Sequence, residues 1–413
     1  MAIKITQLHL TGEEQVMLDG KMGNSVRKAM EIIVALAKIY NAPKLISINS
    51  VQVSGVSFDN LGEDGLQFLE SLAKDGAKCQ VPTTLNPAGM DLQNWKMLGI
   101  DSDFAAQQLH VIDAYQNLGV ENTCTCTPYL IGYVPHFREH IAWSESSAVA
   151  YANSFLGAYT NREGGPSALA SALTGRTAYY GFHLDEYRVP EIGINLEFDL
   201  PTTEFRTHLF GALAKLIGEK ITLAGEKPIP LIRGLKDMSI EEMKSFSASI
   251  ATYGGLALFH IADITPEANH YPTPDRWIEI SKSEFQQELD KLGDFSAGEI
   301  NFISLGCPHL SFAEIRRIAE LVEGKQVRIE FWLTTARKTK EMADQLGYTS
   351  IIEKAGIKFA TDTCCVVAPI KNRFQGMLTD SAKAYFYGKS KNNFDPALLS
   401  LEQIIQFATQ TGN

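Results

Sequence analysis

Six cysteines stand at positions 79, 124, 126, 307, 364 and 365 of this 413-residue chain, and three of them occupy places where thiolates could meet. Runs of β-type residues predict strands over 120–125, 299–305 and 357–360. Cys126, Cys307 and Cys364 each fall just beyond the carboxyl end of one of them, where open α/β sheets gather their ligands. Thiolates are soft ligands suited to iron–sulfur clusters or zinc, and a metal beside a thiol favours its deprotonation. Four protein thiolates would close a four-iron cluster for electron transfer. Three would leave one iron open to a substrate oxygen, a Lewis acid for expelling hydroxide. The same three with His309 would equally suit a structural zinc site, and burial as an inert small hydrophobe is the ordinary fate of a free cysteine, Cys79 above all. The sequence has no CxxC pair, so spacing alone does not choose among these readings. Nor does it choose between Cys124 and Cys126, or between Cys364 and Cys365.

Other residue types with chemistry surround these three. Ser144, Glu145, Ser146 and Ser147 precede the apolar run 148–156, the composition of a helix N-cap whose first-turn N–H groups attract a carboxylate or phosphate. One serine would cap the helix while Glu145 faces the site and orients a hydroxyl or moves a proton; plain capping explains the same residues. The NREGGPS stretch at 161–167 is a glycine-rich turn that either cradles an anion or only connects. Lys383 is a point charge for a carboxylate or phosphate, or a solvated surface lysine; Arg138 and Arg162 are further cations. Asn86 and Pro87 read first as a turn. His136 and His140 are four apart but lack the HExxH pattern of a metal site.

These residues need a scaffold of alternating helices and strands. Helical spacing of Val26, Met30, Ile33, Val34 and Ala37 predicts a helix over 24–40, followed by a strand over 44–54, a helix over 62–73, extended chain over 79–85 and a helix over 103–118. The later part repeats the theme: Ser311 with Glu314 forms a capping box opening a helix, then come a strand over 327–333 and a helix over 337–346. Such alternation argues for parallel α/β sheets. A break near 218–230 divides the chain into 1–218 and 219–413. The composition is ordinary for a globular chain, 45% hydrophobic and 21% charged, with a net charge of −11 and no long basic tract. Nucleic acid and anionic membrane are therefore poor partners. The polar start MAIKITQLHLTGEEQ is unlike a signal peptide, no run is long enough to span a bilayer, and six cysteines are too few for a disulfide scaffold. A cytoplasmic protein is expected.

Several motifs, in order over nearly the whole chain, resemble the aconitase X family. They are SGVS (54–57), PTTLNPAGMD (82–91), TCTPYL (125–130), HIAWSESSAVAYANSFLGAYTNREGGP (140–166), LGCPH (305–309), TDTC (361–364) and TDSAK (379–383). The resemblance, closest to the large subunit of the two-chain form, implies an aconitase-like α/β fold of several domains with parallel or mixed sheets around a central iron–sulfur site. It implies Cys126, Cys307 and Cys364 as cluster ligands, of a [4Fe–4S] centre or else of a [2Fe–2S] or mononuclear iron. It implies substrate contacts at Gly55, Val56, Ser57, Asn86, Pro87, Glu145, Ser146 and Lys383, with Glu145 and Ser146 at the reacting atoms. In the family the catalytic serine sits on a small swivelling domain; the chain stops shortly after TDSAK, so a separate small subunit carrying that domain is expected. The reaction implied is dehydration of a small anionic substrate, mevalonate 5-phosphate or alternatively cis-3-hydroxy-L-proline. A non-catalytic zinc-binding or assembly protein is the rival of another class. Gln52, Tyr133, Arg138 and Asp380 depart from the residues expected at their motif positions.

Overall fold

The computed structural model describes residues 7–223, 228–296 and 299–410. The first six residues of the polar start and positions 224–227 of the expected break lie outside the described residues. Helix α1 (Gly12–Leu18), opened by a Thr11/Glu14 capping box, leads to α2 (Asn24–Ile39), whose helical-period apolar residues are all buried. Then come β1 (Leu45–Ser47), β2 (Val51–Val53), α3 (Phe58–Lys74), β3 (Thr83–Leu85), α4 (Ser102–Asn117), β4 (Ala142–Trp143), α5 (Ser146–Ser154), α6 (Gly165–Thr174) and β5 (Arg176–Ala178). Strands β3, β2 and β4 form a parallel sheet in that order, while β1 pairs antiparallel with β5. The single strand expected over 44–54 is thus two. Between them the Ile48 and Asn49 N–H groups turn to the Gly175 and His140 carbonyls, so the chain changes partners midway. The strand expected over 120–125 does not form. Glu121 makes one isolated bridge to Thr84, the Thr123 hydroxyl takes the Leu85 N–H, and Cys124 turns left-handed at φ 39°.

The second unit holds β6 (Ile192–Leu196), α7 (Thr207–Leu223), β7 (Pro230–Arg233), α8 (Ile240–Tyr253), β8 (His260–Ile261), β9 (Trp277–Ile280) and α9 (Lys282–Gly293), with a parallel sheet ordered β8-β7-β6-β9. The break read at 218/219 falls inside α7. Gly218 serves a close helix crossing there: a Cβ on it would sit 2.7 Å from the Gly254 nitrogen at the end of α8.

The third unit holds β10 (Ile300–Leu310), α10 (Phe312–Val322), β11 (Glu330–Thr335), α11 (Arg337–Gln345), α12 (Tyr348–Lys354), β12 (Lys358–Thr361), β13 (Gly376–Thr379), α13 (Ala382–Ser390), β14 (Asp395–Leu398) and α14 (Leu401–Thr409). Its five-stranded parallel sheet is ordered β12-β11-β10-β13-β14. Parallel strands covered on both faces are apolar throughout, and Phe331, Trp332, Leu333 and Thr334 of β11 are all fully buried. Each unit has its own apolar core, and a further core joins Met90, Leu98 and Ile100 of the first to Phe302, Cys307 and Trp332 of the third. The expected α/β class with parallel and mixed sheets is the observed one. Among the described residues no helix is long and apolar enough to cross a membrane.

Candidate active site

The loops that carry Cys126, Cys307 and Cys364 converge where the first and third units meet. Cys364 follows β12 as expected, after Asp362 takes a left-handed φ of 64°. Cys307 lies not beyond β10 but inside it, in an irregular stretch between Leu305 and Leu310 where pairing with β11 shifts register. Gly306 makes that buckle feasible: its φ is 104°, and a Cβ there would come 2.1 Å from the Thr334 carbonyl oxygen. The Cys307 and Cys364 thiols act on each other, which pulls the Cys364 thiol down against burial and pushes Cys307 up. Cys126 is pushed up to about 12 by burial and by the nearby Glu145 and Cys364 charges, and its Sγ accepts the His309 N–H at 3.3 Å. Lys383 acts on all three in the opposite sense, favouring their thiolates.

The neighbouring cysteines bond other partners, although Cys365 shares its core with Cys307. Cys124 donates to Asn122 Oδ1 at 2.9 Å within the first core, and Cys365 is buried beside Phe302 and Phe394 in the core between units. Cys79 is partly buried against the first core. His136 and His140 do not converge, because His140 Nδ1 meets His183 Nδ1 at 3.0 Å.

Beside the three thiols lies a buried ion pair. Glu145 itself caps α5, accepting from the Ser147 N–H at 3.4 Å and the Ser147 hydroxyl at 3.0 Å, so the expected serine cap is replaced by the glutamate. Its Oε1 also accepts from Lys383 Nζ at 2.6 Å and its Oε2 from Asn86 Nδ2 at 2.9 Å. Burial alone would push this carboxyl up. The Lys383 charge and the hydrogen bonds from Lys383, Asn86 and Ser147 outweigh burial and hold it at about 2. Lys383 is driven upward despite its own burial, by Glu145 first. Its ammonium gives two protons, to Glu145 and to Ser147 Oγ at 2.8 Å, and has a third to offer. Ser381 caps α13, accepting from the Ala384 N–H, and its hydroxyl donates to the Cys307 carbonyl, which fixes Lys383 relative to that cysteine.

The remaining expected contacts lie on the loops after β2 and β3 and at the start of α5. Gly55 has a φ of 79°, a conformation that favours glycine. Val56 and Ser57 are buried, with the Val56 carbonyl accepting from Gln108 Nε2 at 3.0 Å and the Ser57 hydroxyl donating to the Val367 carbonyl at 3.3 Å. Pro87 is buried beside Asn86, and Ser146 is buried in the first turn of α5. Of the two arginines considered with Lys383, Arg138 is paired at the surface with Asp185 at 2.5 Å, whereas Arg162 is exposed and without a partner among the described residues. Asn86 Oδ1, Tyr129 OH, Thr363 Oγ1 and Gln52 Oε1 are buried without a hydrogen-bond partner. Such atoms are rare in folded chains, and here each belongs to a residue beside a cysteine loop or Glu145.

This donor set fits a thiolate-ligated cluster with an open position: three soft ligands, a cation that favours their charged forms, and unpaired polar atoms on residues beside the cysteine loops. It fits zinc less well. His309 Nδ1 meets the Thr125 hydroxyl at 3.0 Å and Nε2 meets the Thr363 carbonyl at 2.9 Å, so neither ring nitrogen is free as a fourth ligand. Among the described residues no three His, Cys, Asp or Glu side chains are spaced to hold a single metal ion.

Sequence reasoning missed the struts. Arg337 bonds Asp91 at 3.0 Å, Thr361 Oγ1 at 2.8 Å and Asp362, tying the PTTLNPAGMD loop to the TDTC loop. Lys244 of α8 donates to the His309 carbonyl at 2.9 Å and pairs with Glu314. Tyr129 stacks on Tyr151 at 3.8 Å between ring centroids. The only signal for any of these is position inside a motif, as for Asp91, Asp362 and Tyr129.

Comparison with known proteins agrees with this architecture. Models of the aconitase X first, second and third domains match residues 7–186, 190–290 and 300–410. The phosphomevalonate dehydratase large subunit of Methanocaldococcus jannaschii is 45% identical over 387 residues, spanning 92% of this chain and 95% of that protein. The cis-3-hydroxy-L-proline dehydratase of Hypocrea jecorina is 32% identical, covering 92% of this chain and 65% of that protein. The crystal structure of Thermococcus kodakaraensis aconitase X (holo-form) superposes with a TM-score of 0.89 at 40% identity, covering 97% of this chain and all of that one.

Proposed function

Because the chain belongs to the aconitase X family and is a hydro-lyase of that family, we propose that it dehydrates mevalonate 5-phosphate to trans-anhydromevalonate 5-phosphate, a step of isoprenoid synthesis in the cytoplasm. Its cofactor in this reading is a [4Fe–4S] cluster held by Cys126, Cys307 and Cys364. When bound, the cluster supplies an open Lewis acid that weakens the C–O bond of the departing hydroxyl. The observation that carries the reading is the buried Glu145–Lys383 pair beside three converging thiols.

The chain's own residues then bind and orient. Lys383, with one ammonium proton still to give, takes a substrate oxygen, and Glu145 holds Lys383 charged and in place. Asn86, anchored to Glu145 through Nδ2, has Oδ1 free to accept from a substrate hydroxyl. Gly55, Val56 and Ser57 supply further substrate contacts in this reading, and Ser146 sits in the first turn of α5 beside Glu145. The exposed Arg162 in the NREGGPS turn, without a partner among the described residues, is the cation for the phosphate in this reading, because Arg138 is already matched by Asp185. The proton is removed by a serine on a separate small subunit that carries the swivelling domain, a partner consistent with relatives named as large subunits. Elimination balances as loss of that proton and of hydroxide, together one water.

The test is to co-express the chain with its small subunit, purify anaerobically, and assay mevalonate 5-phosphate and cis-3-hydroxy-L-proline side by side. Turnover of the phosphate alone supports the reading. Turnover of the imino acid alone reassigns the substrate, and turnover of neither, with a loaded cluster, sinks it.

A further inference from the structure

His309 touches all three cysteine loops. We infer that it is a positioning residue, fixing the loops of Cys126, Cys307 and Cys364 relative to one another, and not a metal ligand; this rests on the reading of those thiols given above. His309 belongs to the Cys307 loop, two residues on. Its Nδ1 meets the hydroxyl of Thr125, which precedes Cys126, at 3.0 Å. Its Nε2 meets the carbonyl of Thr363, which precedes Cys364, at 2.9 Å. Its backbone N–H donates to Cys126 Sγ at 3.3 Å.

The bonding also assigns the tautomer. A carbonyl only accepts, so Nε2 carries the proton and donates to Thr363. Nδ1 is then a lone pair, and the Thr125 hydroxyl donates to it. Having given its proton, Thr125 Oγ1 accepts the Thr127 N–H at 3.2 Å. The backbone of Thr125 is held from the other side, where Gln52 Nε2 donates to its carbonyl at 3.2 Å. The His309 carbonyl is claimed by Lys244 at 2.9 Å. The ring is fully buried, and each of its polar groups, with its backbone N–H and carbonyl, has a partner. A buried, satisfied histidine is common; what sets this one apart is that its partners flank the three converging thiols. Groups in this position orient the ligands they adjoin, and their loss typically costs 10–100-fold in metal affinity.

The test uses the full chain, purified anaerobically and loaded with ferrous iron and sulfide, with cluster loss to a chelator followed by visible absorption. Three variants separate the bonds. Thr125→Val removes the hydroxyl, His309→Gln keeps an amide N–H within reach of Thr363, and His309→Leu keeps neither bond. Thr125→Val and His309→Gln are expected to lose the cluster about tenfold faster than the parent, His309→Leu faster still, and the Thr125→Val/His309→Gln double variant no faster than the worse single one. Melting of the cluster-free chains controls for folding. Parental loss rates in Thr125→Val and His309→Gln overturn the inference alone, as do rates that only follow a lowered melting temperature. A parent that takes up no iron and sulfide overturns the reading of the three thiols, and the inference with it. Should His309→Leu not fold, Thr125→Val and His309→Gln decide by the same criteria.

Discussion

Glu145 Oε1 lies 2.6 Å from Lys383 Nζ, joining the cap of α5 to the first turn of α13 across 238 positions of the chain. Two isolated charges in so dry a place would be costly; paired and hydrogen-bonded they are tolerated. The arrangement fixes a carboxylate, an ammonium and an amide at one point, with one ammonium proton unspent.

Removing one partner should therefore do more harm than removing both. Lys383→Met leaves Glu145 buried and unpaired, and is expected to lower stability by about 3–5 kcal/mol and to abolish dehydration. Glu145→Gln/Lys383→Met should recover much of the stability but none of the activity. Urea denaturation of the parent and the two variants checks this, and a double variant no more stable than Lys383→Met would refute it.

Asp380 gives a pH signature of opposite sense to Glu145. Burial, with Glu314 nearby, pushes its carboxyl up from 3.8 to about 6. Between those values the folded chain keeps a proton that the unfolded chain has lost, so the contribution is full below 3.8 and is lost as pH rises through about 6. Glu145, lowered from 4.5 to about 2, contributes fully above 4.5 and loses this as pH falls through about 2. Asp380→Asn is expected to stabilise the chain at about pH 8 by on the order of 2 kcal/mol and to leave it nearly unchanged below about pH 4. Denaturation midpoints at the two pH values test this; an equal shift at both would refute it.

The cysteines should separate into two groups. Cys126→Ala, Cys307→Ala and Cys364→Ala are each expected to cut iron per chain to below about a third of the parent's and to abolish activity. Cys124→Ala and Cys365→Ala should retain iron, because Cys124 is held by Asn122 and Cys365 by Ser304, and Lys383 acts on neither. Iron and acid-labile sulfide analysis after anaerobic purification reads the outcome. Loss of iron in Cys124→Ala or Cys365→Ala would reassign a ligand, and stoichiometric zinc without iron would replace the dehydratase reading.

Arg337 should prove structural in its own right. Its fork holds Asp91 and Asp362 together, and burial already pushes Asp362 up to about 6. Arg337→Ala is expected to cost about 2–4 kcal/mol, discounted for partial exposure, and to weaken cluster retention. Arg337→Lys should recover only part of this, since a point charge cannot bridge both carboxylates. A lysine variant equal to the parent in melting temperature and iron content would count against the bridging role.

Much of the scaffold was legible because periodicity reports burial. The face of α2, the capping box of α10 and the strands of the third unit follow from apolar spacing and local cap chemistry. The failures are places where long-range contacts decide. The stretch at 120–125 has strand-forming residues, yet the Thr123 hydroxyl and the left-handed Cys124 divert it. Gly218 resembles a breaker but serves a helix crossing. At the site, cysteine positions were readable as ends of strands, whereas the choice of Cys126 over Cys124 came from a motif. Arg337, Lys244 and the role of His309 depend on partners scores to hundreds of residues away, which no local pattern encodes.

The placement of the three thiols also bears on biosynthesis. Cys126 belongs to the first unit, while Cys307 and Cys364 belong to the third, and the Ser57 hydroxyl closes on a carbonyl 310 residues later. A nascent chain that has completed only its first two units presents one of the three thiols and neither Lys383 nor His309. In the reading proposed above, cluster insertion awaits release of the last third of the polypeptide, and a chain stalled before that point holds Cys126 without Cys307, Cys364 or Lys383.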